Sequence, residues 1–167
     1  MFSINDYVCY STSGVCQIID RKRARFGNGE EQEYYVLKPL SSDSIVYVST
    51  ANKSSMANMR PIMTDGEVLE LISSVTERSG IWPTDEHRRH DLFLAKLQSG
   101  DSHELARLIT GLQLEQKRKH EAGKKLHVSD AKVMATAEKL LHEEIAFVMG
   151  IRMEEVVPFI LERIHPN

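Results

Sequence analysis

Trp82, the only tryptophan, stands in Ser79-Gly80-Ile81-Trp82-Pro83-Thr84, and the basic pair Arg88-Arg89 follows within two helical turns. A flat apolar ring beside arginines at the start of a helix is what a protein needs if it is to press a wedge against nucleic acid bases while the cations hold phosphates. The other reading of the same residues is a ring that seals the junction between two helices.

A second cationic run, Lys117-Arg118-Lys119-His120-Glu121-Ala122-Gly123-Lys124-Lys125-Leu126-His127, lies between two expected helices, with Lys132 one turn further on. Flexible lysines and a helix terminus can converge there on a phosphate backbone, unless the run is only a solvated loop. In a compact bundle this patch and the arginine pair would share one surface. A third cluster, Arg21-Lys22-Arg23-Ala24-Arg25, ends an expected strand. Its arginines can pair with carboxylates of a partner protein, or they can guard an exposed strand edge against aggregation.

Catalytic chemistry has little to work with. In Asp85-Glu86-His87-Arg88-Arg89-His90-Asp91 the central arginines would repel a metal cation, and neighbouring helical residues point in different directions. Glu143-Glu144, after His142, reads as a solvated helix face. Gly-rich phosphate loops, the Gly-x-Ser-x-Gly elbow and Cys-x-x-Cys pairs are all missing from the sequence. The expectation is a protein without catalytic residues, metal or cofactor. Cys9 and Cys16 flank a turn at Ser11-Thr12-Ser13-Gly14 and read as two small buried hydrophobes, with a disulfide across the hairpin as the other option.

The chain has 167 residues, 41% of them hydrophobic and 27% charged, with a formal net charge of -3. Binding to nucleic acid must therefore come from a local patch and not from the molecule as a whole. Met1 to Asp6 form neither a basic leader nor an apolar run, and no stretch approaches membrane-spanning length, so a cytoplasmic location and no membrane contact are expected. Nothing resembling a long heptad seam appears, and a monomer is expected, although the sequence does not determine the oligomeric state.

The elements that must position these residues change type near residue 63. Tyr7 to Tyr10, Val15 to Asp20, Glu33 to Leu40 and Ile45 to Ser49 are rich in β-branched and aromatic residues and bounded by turns such as Gly27-Asn28-Gly29. Met59 to Ile62 could add a fifth strand, which Pro61 confines to an edge. Five short strands in so few residues predict a small, bent sheet or barrel.

A helical period follows. Thr64 and Glu67 have capping-box spacing ahead of Val68, Leu71, Ile72 and Val75. A second helix is predicted over 85–98, stopping at Ser99-Gly100, and a third behind Asp101 and Glu104. Ser129 is the expected cap of a long fourth helix ending at Gly150. Val156, Val157, Ile160, Leu161 and Ile164 suggest a fifth, which accommodates Pro158 only near its first turn. The expected fold class is α+β, with a β domain over 1–63 and an all-helical domain of about five helices over 64–167.

Several segments together resemble the CarD/CdnL-like bacterial transcription regulators: Asp6-Tyr7-Val8-Cys9-Tyr10 with Gly14, Glu33-Tyr34-Tyr35-Val36-Leu37-Lys38, Met59-Arg60-Pro61, Lys96-Leu97-Gln98-Ser99-Gly100-Asp101, and Leu126 through Ala146. They span nearly the whole chain in the expected order. The resemblance implies a Tudor-like N-terminal domain that docks on the RNA polymerase β subunit and a helical domain that touches promoter DNA at its minor groove and phosphate backbone. It further implies a tryptophan wedge, here Trp82, that stabilises the open complex at the upstream edge of the bubble. Arg88, Arg89, Lys124, Lys125 and Lys132 would join Trp82 on DNA. Arg23 or Arg25 would face the polymerase, and Tyr47 stands where some members carry a second arginine. The interval from Trp82 to Arg88 is longer than in members whose tryptophan and arginines nearly adjoin. A Tudor-like interaction adaptor without DNA binding is the alternative.

Overall fold

The computed structural model describes residues 1–75, 82–83 and 85–164; Ser79, Gly80, Ile81 and Thr84 of the tryptophan motif lie outside it. The chain divides into two compact units, Met1–Ile62 and Met63–Asn167.

The first unit is an antiparallel sheet of β1 (Tyr7–Tyr10), β2 (Gly14–Ala24), β3 (Gln32–Pro39), β4 (Val46–Ser49) and β5 (Met59–Pro61), in the order β4-β3-β2-β1-β5. Alternation sends Val8, Cys16, Ile18, Tyr35, Leu37, Val48 and Met59 to one face, where they form the buried core of the unit. Pro61, which lacks an N–H to donate, is on the edge strand β5, as its chemistry requires. The pairings Val8 with Cys16 and Cys9 with Val15 put the two cysteines on opposite faces of the sheet. Both are buried thiols.

Two features of this unit depart from the sequence reading. Lys53–Ala57 forms a short helix, α1, where only strands were expected, and the Asn52 side chain caps it by accepting from the Ser55 N–H at 3.1 Å. Strand β2 runs on to Ala24 and carries an irregularity between Ile18 and Asp20, where the pairing with β3 shifts by one residue. Such a bulge bends the strand and inverts which side chains share a face beyond it.

The second unit contains α2 (Asp65–Ser74), α3 (Glu86–Ser99), α4 (Ser102–Glu121), α5 (Val128–Met149) and α6 (Met153–Ile164). The capping box forms as expected, with the Thr64 hydroxyl accepting from the Glu67 N–H and the Glu67 carboxylate accepting from the Thr64 N–H. Asp101 caps α4 through the Glu104 N–H, while the Glu104 carboxylate turns instead to Lys96 and Arg107. Gly100 and Gly150 take the left-handed conformation that ends α3 and α5, both at φ 66°. Val68, Phe93, Leu108, Leu112, Ile145 and Val156 are the fully buried centre of this unit.

Two helix starts differ from expectation. Helix α5 begins at Val128 after His127, which makes no side-chain cap bond, so Ser129 lies inside the first turn and does not cap it. Helix α6 runs through Pro158, its sixth residue. The bond that proline forfeits would have reached the carbonyl of Glu154, which sits in the exposed first turn where water can serve it. Glu144, read from sequence as part of a wet face, is 1% exposed, and its Oε2 accepts from the Met63 N–H at 2.8 Å.

His142 faces the apolar recess between α2, α4, α5 and α6, and burial pushes its imidazole below the usual 6.5, partly opposed by Glu138. In the unfolded chain the proton binds at the ordinary value, so lowering pH from above 6.5 favours unfolding until the folded imidazole also titrates. Urea unfolding should show stability falling as pH drops below 6.5, with a shallower fall in His142→Gln.

Candidate functional site

The indole of Trp82 is partly buried against the core of the helical unit, with its ring centroid 5.7 Å from that of Phe93 and the planes inclined at 59°. The guanidinium carbon of Arg89 lies 5.0 Å from the centroid of the same indole. Arg89 itself is largely withdrawn from solvent: its side chain is 11% exposed and its Nη2 donates to Asp130 Oδ2 at 3.1 Å. Its Nη1 also lies 3.9 Å from Glu86 Oε1. Arg88, one residue earlier, is 88% exposed and only loosely paired with Asp85 at 3.7 Å. Two arginines adjacent in sequence thus have different positions, because successive helical residues diverge by about 100°.

Lys132 is exposed on α5 and borders a shallow recess with His90 and Leu94 of α3. Lys124 and Lys125 line a different cleft, together with Lys117, His120, Gln113 and Gln116. The cations expected to form one patch therefore divide into two groups. Carboxylates are mixed into the first, where Asp85, Glu86 and Asp130 surround the arginine pair. In the second, Lys117, Lys124 and Lys125 are exposed. Glu115 is nearby, but its carboxyl, held below the usual range by the hydrogen bond from Arg118, is already matched.

In the sheet unit, Tyr47 belongs to a cluster of three rings packed edge to face. Phe26 is 5.0 Å from Tyr34 and 5.1 Å from Tyr47, and Tyr34 is 6.2 Å from Tyr47. Lys22 places its Nζ 5.1 Å from the Tyr47 ring centroid. Phe26 and Tyr47 remain 50% and 38% exposed, an unusual expenditure of aromatic surface for a small sheet. The bulge in β2 decides which cation joins them. Lys22 pairs with Tyr34 and shares the aromatic face, whereas Arg23 pairs with Glu33 on the opposite face and lies 3.7 Å from Glu31. Arg25 is exposed just beyond the end of β2. Arg23 and Tyr47, expected on one surface, are thus on opposite faces of the sheet.

Sequence reading missed Phe26, Tyr34, Lys22 and Asp130. The adjacent tyrosines Tyr34 and Tyr35 are plain in the sequence, but only the strand register shows which of them meets Tyr47. Among the described residues no three or more His, Cys, Asp or Glu side chains gather in a way that could hold a metal ion, and no described helix is long and apolar enough to cross a membrane.

Two family models match the chain. Residues 2–63 match the CarD-like/TRCF RID domain, and residues 67–160 match the CarD C-terminal domain.

Proposed function

Because this chain belongs to the CarD-like family of transcription regulators, which interact with RNA polymerase, we propose that it bridges the polymerase and promoter DNA without covalent chemistry. The sheet unit docks on the polymerase β subunit, and the helical unit meets DNA near the upstream edge of the melted bubble. The observation that carries the docking half is the exposed Phe26-Tyr34-Tyr47 cluster with Lys22 beside it, in the segment that matches the RID domain. Exposed aromatics next to a cation suit a protein partner that offers apolar surface ringed by carboxylates. Arg25 and Arg23 flank that contact from the strand end and the reverse face.

The DNA half rests on exposed cations. Lys132, Lys124 and Lys125 are exposed, and Arg88 is 88% exposed with Asp85 no closer than 3.7 Å, so these four can neutralise phosphates, whereas Arg89 is engaged inside the unit. In this reading the exposed part of the Trp82 ring meets a base step while the remainder stays on Phe93 and Arg89. Such a contact favours the melted state and slows strand reannealing. The chain acts in the cytoplasm as a single copy.

The test is the lifetime of the open complex on a promoter after a competitor challenge. Trp82→Ala should shorten it by about tenfold, equivalent to about 1.4 kcal/mol of lost preference for the melted form, while polymerase binding is retained. An unchanged lifetime rejects the wedge. The acidic surroundings of Trp82 favour a second reading, an interaction adaptor that leaves DNA alone. Salt-sensitive DNA binding by the whole chain decides between them, since the adaptor has none.

A further inference from the structure

We infer that Arg89 and Asp130 form an internal strap that fixes the Trp82 indole and the start of α3 against α5, making Arg89 a positioning residue and not a phosphate ligand. The geometry has three parts. Asp130, in the first turn of α5, is buried to 1% exposure and reaches Arg89 across 41 positions of sequence. Arg89, in the first turn of α3, stands over the indole with its guanidinium carbon 5.0 Å from the ring centroid. Phe93, one turn along α3 from Arg89 and completely buried, supports the same ring.

A guanidinium in this place has few ways to be satisfied. Its Nε is buried and makes no hydrogen bond among the described residues, so the compensation for withdrawing the charge comes chiefly from the Asp130 carboxylate and the negative face of the indole, with the exposed Glu86 more distant at 3.9 Å. Arginine fits both demands, because its planar fork can hold a carboxylate while its face stacks on an aromatic. A lysine could keep the ion pair but not the stacking. On α4 the Glu115 carboxyl is held low by Arg118 first, then Lys119, with Arg89 the least of the contributors. The outward cation of the pair is Arg88.

Two readouts test the strap, and only the second rests on the proposed DNA contact. Because Trp82 is the sole tryptophan, its emission reports this site alone. Asp130→Asn should shift that emission to the red and raise its quenching by acrylamide, at a temperature where circular dichroism shows the helices intact. Arg89→Lys, which keeps a positive charge opposite Asp130, should do the same and serves if the asparagine variant does not fold. In DNA titrations over a range of salt, Arg88→Gln should reduce the slope of log affinity against log salt by about 0.9, the loss of one phosphate contact, while Arg89→Gln leaves the slope unchanged. Unaltered emission and quenching in both Asp130→Asn and Arg89→Lys overturn the strap, as does a slope in Arg89→Gln reduced like that of Arg88→Gln. A wild-type chain with no DNA affinity refutes the DNA contact and leaves the strap to be judged by the fluorescence.

Discussion

Asp130→Ala is expected to destabilise the helical unit by about 3 kcal/mol, because it leaves the largely withdrawn Arg89 charge with only the exposed Glu86, at 3.9 Å, in place of its buried carboxylate partner. The magnitude follows from where the pair sits. Its side chains are 11% and 2% exposed, so water cannot replace the lost partner as it does at the surface. The exposed pair Arg152 and Glu154, at 73% and 68%, should by contrast change stability very little when broken. Urea unfolding followed by circular dichroism measures both. Adding Arg89→Met to Asp130→Ala should restore part of the loss, since a buried apolar chain costs less than a buried unpaired cation. A loss below about 1 kcal/mol in Asp130→Ala would mean that solvent reaches this pair.

Polymerase affinity should fall about 30-fold or more when Phe26 and Tyr47 are both replaced by glutamate. That loss corresponds to about 2 kcal/mol, the scale at which a central aromatic anchor contributes to a protein interface. The two rings pack on each other at 5.1 Å and on Tyr34, so the substitution removes the protruding part of the cluster while Tyr35, Leu37 and Val48 on the opposite face keep the core intact. Arg23→Glu is expected to have the smaller effect, because Arg23 lies on the reverse face beside Glu31. Surface titration of purified polymerase against each variant ranks them. A larger loss for Arg23→Glu than for the double aromatic variant would move the docking surface to the other face of the sheet.

Short-range signals were legible in the sequence and long-range ones were not. The capping box at Thr64, the glycine ends at Gly100 and Gly150, and the edge position of Met59–Pro61 follow from local backbone chemistry, and the structure has each of them. The partners of Asp130 and Glu144 are 41 and 81 positions away, so no local pattern distinguishes these carboxylates from solvated ones. Asp130 looks like an ordinary acidic residue in a first helical turn, where it would complement the dipole in any case.

The proposed docking face shows the same limit in another form. Strict alternation through β2 would have put Arg21 and Arg23 beside Tyr34 and Tyr47. The one-residue shift between Ile18 and Asp20 reverses that parity and brings Lys22 there instead. A bulge is a compromise between two strands, and the sequence of one strand does not specify it. Trp82 illustrates a third kind of difficulty. Nothing in its own segment signals that Phe93 and Arg89, both on the following helix, would take up part of the ring.

The measurement that bears most directly on the central claim is a binding titration of the full chain against purified RNA polymerase, with the isolated β subunit as a second arm. Saturable one-to-one binding in both arms, weakened by Phe26→Glu with Tyr47→Glu, is the predicted result. Binding to polymerase that is unaffected by those substitutions, or no association with either the enzyme or its β subunit, would contradict it.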